Sequence, residues 1–260
     1  MSGGSLGLTL LEIDGEGAPV VFVHGLGGTS NCYQAMLPAF AGFRCIRPDL
    51  PGSGRSPRAG LQLSIGLFAE VIAGVIRHVG GAPAHLVGHS MGTLVALHVA
   101  ASVPECVLSL TLFGPIGAPG DAARERLRER ARVVRSGGLL GVADAVASGG
   151  VSSASKAANP LLGPFLRESH MRQDPESFAQ TCEALAGAEA ADFRRVRCPT
   201  LLVTGDEDAI APPSAAQALA DKIRGARVKT LNRCGHWTPL EMPVECGKLA
   251  AAHVRAHAAH

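Results

Sequence analysis

The sequence predicts an α/β protein, with a mostly parallel central sheet flanked by helices and a small helical cap set into the chain. Three observations predict it. Short apolar runs alternate with helix-length amphipathic segments, the pattern of a sheet covered on both faces. From about residue 116 to residue 195 the alternation stops, and only helical segments separated by Gly, Pro and Ser remain. It then resumes. The expected division is a core made of residues 1–115 and 196–260, with residues 116–195 as the cap.

Each element has its own signal. Thr9 to Ile13 alternates weakly and reads as an early strand, closed by the turn Asp14-Gly-Glu-Gly. Pro19 to His24 is a continuous apolar run, as expected at the centre of a parallel sheet. Phe43 to Asp49 is the next strand, and the glycine-rich stretch from Asp49 to Ser56 is a loop. Ser64 to Val79 has helical spacing and stops at Gly80-Gly81. Ala84 to Gly88 is a short strand, Met91 to Val103 a helix closed by Pro104, and Val107 to Phe113 a strand broken by Gly114-Pro115. After the helical block come a strand from Pro199 to Thr204, a helix from Ser214 to Ile223, a strand from Arg227 to Leu231 and a helix from about Val244. The low-complexity tail from Ala250 to His260 is expected to fray.

Composition narrows the function classes. Apolar residues make up 47% of the chain but aromatics only 4%, so the core must be packed from many small side chains. The net charge is +2 with signs interleaved, which leaves no footprint for nucleic acid and no polybasic membrane patch. The dense run from Arg124 to Arg130 alternates in sign and reads as a solvated helix face. Seven cysteines without a CxxC pair argue against a disulfide framework or a zinc site and favour a reducing compartment. Met1 to Leu6 lacks a basic region leading into an apolar run, and no stretch is long and apolar enough to span a bilayer. A cytoplasmic location is the expectation, and a homo-oligomer is compatible with it.

The strongest chemical signal is Gly88-His89-Ser90-Met91-Gly92, a G-x-S-x-G set between a strand and a helix. A serine on so sharp a turn needs glycines at 88 and 92, because a Cβ there would meet neighbouring backbone. A serine hydroxyl also needs a base. Of ten histidines, His236 in Cys234-Gly235-His236-Trp237 stands in a loop after the last strand, whereas His78, His85 and His98 lie inside regular elements. The third member is expected after the penultimate strand. Asp208 fits a G-x-x-D-x-x-x-P arrangement from Gly205 to Pro212, and Asp206 is the weaker candidate. The oxyanion donors are expected to be the amides of Met91 and of Leu26, the latter in the loop His24-Gly25-Leu26-Gly27-Gly28. His24 is read as bracing this loop.

Taken together, His24-Gly25, Asp49-x-x-Gly-x-Gly-x-Ser56, Gly88-x-Ser90-x-Gly92, Gly205-x-x-Asp208 and Gly235-His236 resemble the α/β-hydrolase superfamily, over the chain from the second strand to the last helix. The likeness is nearest to 3-oxoadipate enol-lactonases and related small esterases. It implies an α/β-hydrolase fold with the cap after the sixth core strand, a structural role for Asp49, and a serine hydrolase with no metal or organic cofactor. The implied substrate is a small-molecule ester or lactone, with an enol-lactone among the options, cleaved through an acyl-enzyme on Ser90. A carbon–carbon bond hydrolase of vinylogous diketones, a cofactor-free haloperoxidase or perhydrolase, and a ligand-sensing binding protein that retains the triad stay open. An epoxide or haloalkane hydrolase does not, since Ser90 stands where those need aspartate. Phe165, Met171 and Phe178 are expected in the cap's own core rather than as an acyl-pocket wall, and Arg167 and Arg172 as solvent-exposed rather than as carboxylate ligands.

Overall fold

Val20, Val21, Phe22 and Val23 are buried on both sides of the chain, so this run has no face to offer water and lies inside the sheet. The computed structural model describes residues 9–58, 60–81 and 83–258. Its strands are β1 (Leu11–Asp14), β2 (Ala18–Val23), β3 (Phe43–Pro48), β4 (Ala84–His89), β5 (Val107–Phe113), β6 (Thr200–Gly205) and β7 (Arg227–Leu231). They form one seven-stranded sheet in the order β1-β3-β2-β4-β5-β6-β7. Every neighbouring pair is parallel except β1 with β3.

That order places the site. From β2 the chain moves outward to β3, then returns across β2 to β4, where Val23 pairs with Gly88. The carboxyl ends of β2 and β4 therefore flank the point at which the winding reverses. In open parallel sheets this is where a crevice forms.

Two helices follow the early strands. They are α1 (Ile65–Val75), which runs on as a π turn over Ile76–Gly80, and α2 (Met91–Ser102). Ser64 starts α1 by accepting the Leu67 N–H at 3.0 Å. Between β5 and β6 stand α3 (Asp121–Gly137), α4 (Leu140–Gly149), α5 (Ser153–Ala158), α6 (Leu162–Met171) and α7 (Pro175–Ala186). The chain closes with α8 (Pro213–Ala220), α9 (Thr238–Glu241) and α10 (Pro243–Ala256). The helical insertion leaves the sheet after β5, the fifth of the described strands.

The core has two main halves. In one, α1, α2 and α8 pack through Phe68, Ile72, Leu94, Leu97 and Leu219. In the other, a 3-10 segment (Ser30–Phe40) and α10 bury Tyr33, Met36, Phe40, Ala250 and Val254. As the composition requires, much of this interior is alanine, valine and leucine. A ring such as Phe22, packed at 5.1 Å against both Tyr33 and Phe40, contributes roughly 1.5–3 kcal/mol by burial.

Two expectations change. The Ser30–Phe40 segment has no counterpart in the sequence reading, because Pro38 interrupts its apolar spacing. The tail does not fray through Ala256: Ala250, Ala251 and Val254 are fully buried and hold the helix in place. Residues 259–260 and the N-terminal run from Met1 to Leu6 lie outside the described residues. Among the described residues, no helix is long and apolar enough to cross a membrane. All seven cysteines are buried and unpaired.

Candidate active site

A single residue, Ser90, links β4 to α2. It holds φ 53° and ψ −122°, a region that costs a non-glycine residue about 1–3 kcal/mol. The surroundings fix it there. The Ser90 N–H donates to the Phe113 carbonyl at 2.9 Å, and its own carbonyl accepts from the Thr93 amide at 2.8 Å. The flanking glycines permit the turn by their lack of a side chain. A Cβ at 88 would lie 2.6 Å from the Gly92 oxygen, and one at 92 would lie 2.0 Å from the Val23 oxygen. Gly25 backs the serine so closely that a Cβ there would stand 2.9 Å from that of Ser90.

The serine, histidine and aspartate converge from three loops. Ser90 Oγ donates to His236 Nε2 at 2.9 Å, and His236 Nδ1–H donates to Asp208 Oδ2 at 2.8 Å. The carboxylate can only accept, so the proton sits on Nδ1 and leaves Nε2 as the acceptor facing Ser90 Oγ. The other oxygen, Asp208 Oδ1, accepts from the amides of Ile210 and Ala211, both at 2.8 Å. Burial alone would raise the pKa of this carboxyl. The bond and charge of His236 and the two amides outweigh it, and the group sits below the usual carboxylate range. Asp206 turns elsewhere, accepting from the Cys234 amide at 3.1 Å.

The His236 loop has an anchor that the sequence reading missed. Glu241 Oε2 accepts from the amides of Gly235 and Ser152, and Oε1 from that of Trp237. One carboxylate thus ties both neighbours of His236 to the insertion. The signal lay in asking what satisfies the amides of an exposed-looking glycine loop. His89, the residue before Ser90, is a second addition. Its Nε2–H donates to the His236 carbonyl at 2.9 Å, and burial pushes its titration down to about 3, so the ring stays neutral.

The loop after β2 is braced as expected. His24 Nδ1–H donates to the Gly25 carbonyl at 2.9 Å, and Nε2 accepts the Leu50 amide at 3.0 Å. Asp49 accepts from the amides of Ser30 and Arg55, which supports the neighbouring loops without touching Ser90. Leu26 borders the same cavity as Ser90 and His236. Met91 is the first residue of α2, so its amide is one of the helix's free N-terminal donors.

The insertion roofs this cavity, whose volume is about 380 Å³. From α6, Ser169 Oγ donates to the Gly27 carbonyl at 2.9 Å. The His170 ring lies where a side chain at Gly27 would be, 2.2 Å from an added Cβ. Phe178 belongs to the insertion's own small core, as expected, whereas Phe165 and Met171 are exposed. Arg167 pairs with Asp144 at 2.6 Å on the outside. The reading of Arg124 to Arg130 as a solvated face is half right, since Arg126 and Arg130 line the cavity. A more open cleft of about 460 Å³ between the 52–60 loop and Asp174–Ser177 holds none of the converging groups. Among the described residues, no three His, Cys, Asp or Glu side chains cluster as a metal site.

A switch-point crevice with a serine elbow on the fourth strand and a helical insertion above it is the architecture of an α/β hydrolase. The chain belongs to the alpha/beta hydrolase family, whose model matches residues 20–248. It is 31% identical, over 98% of its length and 68% of the relative's, to a dihydrolipoyllysine-residue acetyltransferase component of the acetoin cleaving system from Pseudomonas putida. It is 30% identical, over 90% of its length and 85% of the relative's, to a 2-hydroxymuconate semialdehyde hydrolase from Pseudomonas sp. strain CF600. Among solved structures it resembles a thermophilic esterase from Thermogutta terrifontis, with a TM-score of 0.90 and 26% identity over 96% of this chain and 94% of that one.

Proposed function

We propose that this α/β hydrolase cleaves a carboxylic ester or lactone through an acyl-enzyme on Ser90, with His236 as base and Asp208 as its orienting acid. The observation that carries the reading is the unbroken chain from Ser90 Oγ through His236 to Asp208 Oδ2, at 2.9 and 2.8 Å, opening onto a cavity that fits a small substrate. His236 Nε2 takes the hydroxyl proton as Oγ attacks the carbonyl. The Asp208 carboxylate stabilises the imidazolium that forms. The amides of Met91 and Leu26 receive the developing oxyanion, an interaction worth about 10²–10³ in rate per donor. His236 then returns the proton to the departing oxygen and draws one from the water that frees Ser90.

An enol-lactone is the finer form of this reading. It opens without losing a fragment, so both halves remain under the insertion until water attacks. The likeness to the 2-hydroxymuconate semialdehyde hydrolase supports a second reading, hydrolysis of a carbon–carbon bond by the same three residues. Acid release from a panel of short esters, lactones, enol-lactones and vinylogous diketones, followed by pH-stat with wild type and Ser90→Ala, separates them. Turnover of an oxygen ester confined to wild type supports the proposal. Turnover only of a diketone moves the assignment to the second reading, and equal rates in both proteins refute the serine mechanism.

A further inference from the structure

His170, on α6, is only 2% exposed, and it lines the cavity that holds Ser90 and His236. Its Nδ1–H donates to the Leu166 carbonyl at 2.8 Å, one turn back on the same helix. A carbonyl can only accept, so the proton sits on Nδ1 and Nε2 carries a lone pair. Two rings stand against the imidazole and fix its plane, Trp237 at 5.7 Å and 84° and Phe178 at 6.1 Å and 64°. Among the described residues nothing donates to Nε2, yet it is not one of the fully enclosed polar atoms that lack a partner. Gly27 keeps it uncovered, since a Cβ there would stand 2.2 Å away. The nitrogen therefore opens on the cavity beside the Leu26–Gly27 loop.

We propose that His170 Nε2 accepts a hydrogen bond from a hydroxyl on the acyl chain of the substrate, so that the ester or lactone attacked by Ser90 is that of a hydroxy acid. This rests on the hydrolysis proposed above. A lone pair in a nearly closed site selects a donor, because a buried acceptor left unpaired is costly. Carboxylates, ketones and ethers can only accept, and none of them answers it. An ammonium donor is disfavoured by the two arginines of the same lining, Arg126 and Arg130. Burial lowers the pKa of His170, with the Arg130 charge acting in the same direction, so the ring remains an acceptor at neutral pH. The backbone of Gly27 lies close in front of Nε2, which leaves room for a compact donor. A hydroxyl is one, whereas an amide N–H brings a substituent on either side. Gly27 follows Leu26, whose amide receives the carbonyl oxygen in the proposed reaction. The hydroxyl therefore lies a few carbons from that carbonyl, with Leu127, Ala145 and Val146 as the wall for the rest of the chain.

The test follows acid release from methyl hexanoate, its 3-hydroxy and 5-hydroxy derivatives, and their methoxy and acetamido counterparts. The readout is kcat/KM relative to methyl hexanoate. Wild type is expected to favour one hydroxy ester by about fivefold or more, chiefly through KM, and to lose that preference with the methoxy ester, which cannot donate. His170→Phe, which keeps a ring between Trp237 and Phe178, should bring the preference to about one. His170→Gln, which keeps an acceptor, should retain part of it. Met171→Ala, at an exposed position on the same helix, should retain all of it. The site is overturned by wild-type ratios at or below one for both hydroxy esters, or by a preference that survives His170→Phe. A methoxy or acetamido ester used as well as its hydroxy counterpart overturns it too, and that comparison needs no variant to fold. Titration of Ser90→Ala with the same esters separates this outcome from failure of the hydrolase reading. The fluorescence of Trp237, the chain's single tryptophan, reports binding beside the His170 ring. Tighter binding of a hydroxy ester than of methyl hexanoate, lost in Ser90→Ala with His170→Phe, supports the site even if no ester turns over. Equal binding of the two overturns it.

Discussion

Asp208→Asn should disable the site without disturbing its shape. In the native loop Asp208 Oδ1 accepts from two amides, of Ile210 and Ala211, while Oδ2 accepts from His236. An asparagine has only one oxygen. Two backbone donors hold it on their side, so the NH₂ group must face His236 Nδ1. That nitrogen can then only accept, and the imidazole proton moves to Nε2, opposite Ser90 Oγ at 2.9 Å. The base has become a donor. A wrong tautomer in this arrangement lowers kcat by about 10⁴, close to 5.5 kcal/mol in barrier at about 1.36 kcal/mol per decade. Stopped-flow release of p-nitrophenol from a short ester measures it, with thermal unfolding to show that the fold persists. Asp206→Asn, whose carboxylate serves only the loop around Cys234, should cost less than tenfold. The reasoning fails if Asp208→Asn stays within tenfold of wild type or if Asp206→Asn proves the more damaging.

Ser90→Gly should abolish ester turnover yet raise the melting temperature by about 2–4 °C. Relief of about 1–3 kcal/mol of strain exceeds the roughly 0.5–1 kcal/mol entropic cost of glycine; an unchanged or lower melting point in calorimetry contradicts it. Glu241→Ala orphans three amides and loosens the His236 loop. At about 1–3 kcal/mol per buried group left unsatisfied, it should lower both stability and kcat, which urea unfolding and steady-state assays report. Acid should also weaken the fold. Burial pushes His85 and His253 down to about 4 and His89 to about 3. Their folded values lie below the unfolded value of about 6.5, so the unfolded chain binds more protons on acidification. Stability is complete above pH 6.5 and falls from there toward pH 4, by about 2 kcal/mol per histidine at pH 5. A flat urea midpoint between pH 7 and pH 5 would refute the sign.

Much of this was legible because its signals are local. The strand from Val107 to Phe113 begins and ends where its apolar run does, and that from Arg227 to Leu231 follows an alternation of apolar and polar residues. Ser90, His236 and Asp208 could be chosen by their position after strands, because the fold delivers strand ends to one edge. What stayed hidden depends on contacts between distant segments. Glu241 reads as an ordinary surface residue until its three amides, one from the insertion, are brought to it. Arg126 and Arg130 lie among paired arginines of similar local sequence, and only the packing of α3 against α7 decides which face turns inward. The Ser30–Phe40 segment follows tertiary burial rather than a regular period.

The insertion is stitched to the core along two seams. Ser169 and His170 lie on the loop of Leu26 and Gly27, while Gly150 accepts the His236 amide at 3.1 Å and Ser152 shares Glu241 with that same loop. The roof and the reacting groups below it are therefore one construction. Lifting the roof would take away a wall of the pocket and also the scaffolding that aims the Leu26 loop and His236, the proposed oxyanion donor and base. Evolution or design that trades this insertion for another, to admit a different substrate, must carry both seams across with it. Otherwise the new pocket comes with blunted tools.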